Sequence, residues 1–185
     1  AFADHLVPGT SINVTFLPGS SFADTIRVAR RIHKEGFKPI PHLAARNFES
    51  SKALEQSLDD LTSLANVEEV LIIAGGLDSP LGPYHSTMQI LESGLLEKYS
   101  IKKIGIAGHP EGSPDISNSD IDAALNDKNA WARNTDIEVY IATQFCFEAT
   151  VILDWEARIK KLGNKLPIHI GLPGLATLKT LLKFA

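Results

Sequence analysis

The sequence predicts an α/β protein built on a parallel sheet. Three observations lead to this. Short apolar runs of extended character alternate with longer runs of helical period. The alternation repeats six times across 185 residues, with turn formers between the runs. The residues suited to chemistry fall just after the extended runs, whereas the opposite loops hold little beyond turn residues.

The elements follow in order. Ser11 to Phe16 (SINVTF) reads as the first strand and Leu17-Pro18-Gly19-Ser20 as a loop. Ser21 to Glu35 reads as a helix: Ile26, Ala29, Arg30 and His33 fall near helical spacing, and Gly36 supplies a stop. Lys38 to Leu43 (KPIPHL) is a short strand, followed by a loop through Ala45-Arg46-Asn47. Ser50 to Ala65 is a second helix with Leu54, Leu58 and Leu61 on one face. Val67 to Ala74 (VEEVLIIA) is a buried strand closed by Gly75-Gly76, and His85 to Tyr99 is the third helix. Lys103 to Ala107 is a strand, Gly108 to Ser113 a loop, Asp120 to Asn134 a helix and Ile137 to Ala142 a strand. Ala149 to Leu162, Pro167 to Gly171 and Ala176 to Phe184 complete the series as helix, strand and helix.

Nothing divides the chain into linker and domain, so residues 1–185 are expected to form one domain. A complete eight-fold barrel takes ~250 residues, and six units fall about two short. An open doubly wound sheet is the structural competitor. Net charge is −4, which argues against a nucleic-acid surface. No apolar stretch approaches the ~20 residues of a membrane helix, and no signal peptide is expected. Cys146 is the single cysteine, so no internal disulfide forms, and a reducing, cytoplasmic setting is expected.

Candidate chemistry lies at six strand ends. These are Thr15-Phe16, Pro41 to Arg46, Gly75 to Asp78, Gly108 to Gly112, Gln144 to Glu148 and Leu172-Pro173-Gly174. No nucleophile elbow, P-loop or Gly-x-Gly-x-x-Gly fingerprint is present. Cys146 has no base beside it in sequence. His42, His85 and His109 each belong to a different unit, so no metal site is expected. Asp78 and Glu111 are a possible carboxylate pair of undetermined separation. Glycine doublets that let a planar ligand approach the backbone, with His, Asp and Gln for its polar edge, suit an organic cofactor better. Phe145 and Phe147 share parity on an extended strand, so both can face one side; the plain alternative puts them in the core with Gln144 in a loop.

PHLAAR (Pro41 to Arg46), IGIAGHPEGSPD (Ile104 to Asp115) and TQFCFEA (Thr143 to Ala149) resemble, in order and spacing, the flavin-dependent methylenetetrahydrofolate reductases. VTF (Val14 to Phe16) and Leu172-Pro173-Gly174 match in the same order. The resemblance implies a (β/α)8 barrel, incomplete in this chain, with FAD at its carboxyl face. It implies reduction of methylenetetrahydrofolate to methyltetrahydrofolate by NADH or NADPH, in the one-carbon metabolism that feeds methionine biosynthesis. The implied alternative is a divergent folate- or one-carbon-binding barrel without reductase activity, or a folate-dependent methyl-transfer component.

Carried over by the resemblance, Thr15, His42, Gly76, His109, Asn126 and Lys128 contact the flavin. Gln144 lies between flavin and substrate and hydrogen-bonds the pterin, Phe147 adds to the substrate site, and Asp78 and Gln144 are the catalytic residues. No metal is implied. The expected partner is the folate substrate, with no nucleic acid, no membrane and a homo-oligomeric assembly. Three departures stand out. Nothing before Ser11 matches the family's catalytic Glu, so the first strand and the C-terminal units are expected to be lacking. The family's Gly-Asp reads Gly76-Leu77-Asp78, with the acid displaced by one residue. The second histidine of the PEG loop is Ser113, and His109 stands where many members carry Tyr.

Overall fold

The structure, a computed structural model, describes residues 4–17, 19–114, 116–172 and 174. It is α/β. Six strands are β1 (Ser11–Val14), β2 (Lys38–Ala44), β3 (Glu69–Ile73), β4 (Lys103–Gly108), β5 (Glu138–Phe145) and β6 (Ile168–Gly171). The helices are α1 (Phe22–Lys34), α2 (Ser51–Ala65), α3 (Thr87–Leu91), α4 (Leu95–Lys98), α5 (Asn118–Ala132) and α6 (Ala149–Lys161). The strands form one sheet in the order β1-β2-β3-β4-β5-β6. β1 with β2, β2 with β3, β3 with β4 and β5 with β6 pair in parallel. A doubly wound sheet reverses its strand order at a switch point, and this sequential order has no reversal.

Contacts group the chain into two compact units: Ala1–Ile106 with Thr135–Val139, and Ala107–Asn134 with Tyr140–Ala185. In the first, β2 is buried at Pro39 to Pro41 and again at Leu43 and Ala44, as a strand covered on both faces requires. Leu54, Leu58 and Leu61 of α2 are fully buried, as are Ile72 of β3 and Ile104 and Ile106 of β4. The Ser50 side chain caps α2 by accepting from Ala53 N at 3.1 Å, and Asn66, in the left-handed region at φ 49°, ends it. In the second unit Ile141 of β5 and Trp155 and Ile159 of α6 are buried.

Three differences from the sequence reading have local causes. The helix expected over His85 to Tyr99 is two short ones, because Gly94 between them adopts a left-handed φ of 70°. The Ala45-Arg46-Asn47 loop is a 3-10 turn, with Phe48 N bonded to Ala45 O. β1 stops at Val14, two residues early, and β5 runs on to Phe145. The helix expected over residues 176–184 lies outside the described residues, as does Pro173 of the Leu172-Pro173-Gly174 match.

Candidate functional site

In the first unit, strand register brings two candidates together. Val14 pairs with Pro41, so Thr15 and His42 follow at the next step of neighbouring strands. Thr15 is exposed. His42 is half-buried, with its Nε2 buried and unpartnered among the described residues. Burial pushes its imidazole down to about 4, so the ring is neutral at physiological pH. Its free nitrogen is left for whatever occupies the strand end.

Beyond β3 the chain turns at Gly75, whose φ of +93° and close approach both demand glycine. A Cβ there would lie 2.9 Å from Asn47 Oδ1 and 3.3 Å from Ala44 Cβ. Gly76 is exposed, with open space where a side chain would stand. Asp78 is exposed, and its carboxylate has no partner among the described residues. Asp78 is therefore set at a loop crest rather than locked into an ion pair.

The second unit carries the denser constellation. β4 delivers His109 immediately after Gly108. A Cβ on Gly108 would lie 2.5 Å from Ile141 Cγ2 and 3.1 Å from Trp155 Cη2, so this strand end sits flush on the ring. His109 is half-buried, and its Nδ1 is buried without a partner among the described residues. Burial lowers its pKa first, the charge of Lys128 adds to this, and a hydrogen bond with the Gln144 side chain opposes both. The Lys128 ammonium is itself pushed down by burial, against the attraction of Asp127. It has no ion pair among the described residues. Asn126, two residues away on α5, is exposed.

Gln144 is aimed by a β-bulge. The β5–β6 register shifts between Ala142 and Phe145, where the extra residue re-aims the strand. Gly171 braces the bulge: its N–H donates to Thr143 Oγ1 at 2.8 Å, and its carbonyl accepts from Cys146 N at 3.3 Å. A Cβ on Gly171 would meet the Thr143 carbonyl oxygen at 2.7 Å. Gln144 is thus a strand residue and not a loop residue. Phe145 and Phe147 are 49% and 46% exposed, so neither is core. The bulge and the end of β5 at Phe145 break the simple parity expected of them.

Cys146 is buried, and its Sγ donates to the Gln144 carbonyl at 3.4 Å. Burial and the charge of Glu111 raise the thiol's pKa, against a bond with Thr143, so it stays protonated and is a poor nucleophile. Beside His109 to Gly112 lies a cleft of about 520 Å³ that reaches Val151 and Arg158. The Arg158 guanidinium is paired with Asp122.

In the second unit His109 interacts with both Lys128 and Gln144, while the first places Thr15 beside His42 and Gly76 near Asp78. No group of three or more His, Cys, Asp or Glu among the described residues is arranged to hold a metal. No helix among them is long and apolar enough to cross a membrane. Sequence reasoning missed three supports: Gly108, the Thr143–Gly171 brace, and Arg46, whose only signal was its place in the PHLAAR segment. No family model matches the chain.

Proposed function

We propose that the chain is an FAD-dependent oxidoreductase of the methylenetetrahydrofolate reductase type, on a (β/α)8-type barrel of which it forms part. The observation that carries this reading is the linked set of His109, Gln144 and Lys128 at the carboxyl ends of β4 and β5. The donors suit the cofactor. A flavin nucleotide needs neutral hydrogen-bonding groups for its heterocycle and a cation for its phosphates. His42 Nε2 and His109 Nδ1 are buried and unpartnered, and Lys128 has no ion pair among the described residues. When bound, FAD supplies two-electron hydride chemistry that none of these side chains can perform.

The chain's residues bind and orient. Lys128 takes the phosphate charge, with Asn126 beside it. By the resemblance, Thr15, His42 and Gly76 of the first unit and His109 of the second are each flavin contacts. Gln144, held by the bulge and by His109, presents an amide that donates and accepts at once, which orients a pterin edge without proton transfer. Phe147, half-exposed after β5, offers an apolar face to the same substrate. Asp78 sets the negative charge near the flavin. NADH or NADPH is the reductant.

The test is direct. Purified chain should carry yellow flavin that NADPH or NADH bleaches anaerobically, and methylenetetrahydrofolate should restore the colour. Gln144→Leu should abolish recovery by the folate while sparing bleaching. A colourless chain that binds folate would instead be a binding module without reductase activity, and this reading would be wrong.

A further inference from the structure

Arg46 is bonded along the whole span of the loop that carries Asp78. Its backbone N–H donates to Ala74 O at 2.9 Å, and its carbonyl accepts from Leu81 N at 2.9 Å. Its guanidinium donates to Leu77 O and to His85 O, each at 3.0 Å. The attachments fall at residues 74, 77, 81 and 85, on both sides of Asp78 and one residue before it. The two segments also fit without clearance. Gly82 abuts the backbone of Phe48 and Glu49, where a Cβ would overlap the Glu49 carbonyl and lie 2.5 Å from Phe48 O. Residues 78 and 79 are exposed and outside all of these bonds.

We propose that Arg46 is a positioning residue: it straps the 74–85 loop onto the turn after β2 and so fixes the Asp78 carboxylate at the crest. The role in chemistry rests on the flavoprotein reading above; the strap itself does not. The physical reason is the guanidinium's planar fork, which holds two carbonyls eight residues apart in a fixed relation; a lysine ammonium cannot reproduce this. An exposed acid on a loop of ten or so residues would otherwise sample many orientations. Its displacement to the position after Leu77 is compensated by anchoring the carbonyl of Leu77 itself.

The test uses Arg46→Lys, which keeps the charge, and Arg46→Met, which keeps much of the apolar stem. Amide hydrogen exchange at Leu81 should accelerate at least about tenfold in both, while exchange within β3 stays at the wild-type rate and reports an intact fold. In flavin-loaded protein, Asp78→Asn removes negative charge and should raise the flavin's reduction potential. Arg46→Lys changes no charge, so a shift of its own in the same direction must come through the loop; on top of Asp78→Asn it should add nothing. A purely structural Arg46 would leave the potential unmoved. Unchanged exchange at Leu81 overturns the strap, and additive shifts overturn the service to Asp78. A chain that holds no flavin sinks the flavoprotein reading and that service with it, while Leu81 exchange still decides the strap.

Discussion

Substituting Gly108 by Ala adds one methyl where β4 hands over to His109. The new Cβ would lie 2.5 Å from Ile141 Cγ2 and 3.1 Å from Trp155 Cη2. Neither neighbour has free space: Ile141 is 0% and Trp155 4% exposed. Non-bonded carbons are comfortable at about 3.5–4.0 Å, so the strand end must move by roughly an ångström or Ile141 must leave its rotamer. Overpacking of this kind costs about 1–3 kcal/mol. For a chain of this size that lowers Tm by about 2–12 °C. Thermal unfolding by circular dichroism measures it. Ile141→Ala provides the check, because it removes the clashing Cγ2 and leaves a cavity the new methyl enters. The double variant should lose less stability than the two single losses combined, with a coupling of about 1 kcal/mol or more. A Gly108→Ala protein within about 1 °C of wild type, or strictly additive losses, would refute the packing argument. His109 is the adjacent residue, so flavin retention should fall in parallel.

Other perturbations have signs that follow from burial. His42 sits at about 4 in the folded chain against an ordinary 6.5, so its contribution is intact above 6.5, is lost as pH falls from 6.5 toward 4, and is flat below. His42→Asn should remove up to one proton's slope, ~1.4 kcal/mol per pH unit, from urea-unfolding stability in that window; identical slopes would show that the imidazole is not buried neutral. Lys128→Met should raise the Tm of flavin-free protein while weakening flavin retention roughly tenfold or more, since it removes a desolvated charge that Asp127 offsets in part and that the proposed phosphate would offset further. Asn129 is buried; its amide donates to Leu125 O at 3.0 Å and Asn164 Oδ1 at 2.9 Å, and its oxygen accepts from Lys165 N at 2.9 Å. Asn129→Ala should cost about 2–4 kcal/mol in chemical denaturation, because it strands the Lys165 amide.

The sheet was legible because a parallel strand buried on both faces announces itself as an unbroken apolar run, as in Val70 to Ile72 and Ile104 to Ile106. Helix ends were legible where a side chain caps them, as Ser50 does for α2. The split of α3 from α4 was not, because Gly94 in a helical pattern reads as a tolerated weak point until its φ is known. The strand-end position of Gln144 was legible, but its aim depends on a bulge braced by Gly171. That glycine lies 27 residues further on, and no local pattern carries such a pairing. Arg46 was hidden for the same reason: its partners at Leu77 and His85 are backbone carbonyls, which sequence does not distinguish from any others.

Burial moves His42, His109 and Lys128 in one direction, away from the charged form. This bears on what the candidate residues of each unit can do. A neutral imidazole with a buried free nitrogen holds a heterocycle well but is a weak proton donor to a developing anion. The charge of Lys128 also disfavours protonation of His109, an effect that an anion entering beside them would relieve. The geometry therefore favours binding and orientation over acid catalysis at the ends of β2, β4 and β5. In the proposed reaction the proton comes from elsewhere. Among the carboxylates at strand ends, Glu111 is exposed at the lip of the His109 cleft and its charge reaches the Cys146 thiol, whereas Asp78 is exposed on a loop anchored at both flanks. Arg46 anchors the backbone on both flanks of Asp78, so in the proposed reaction that carboxylate is the one carried on a fixed mount.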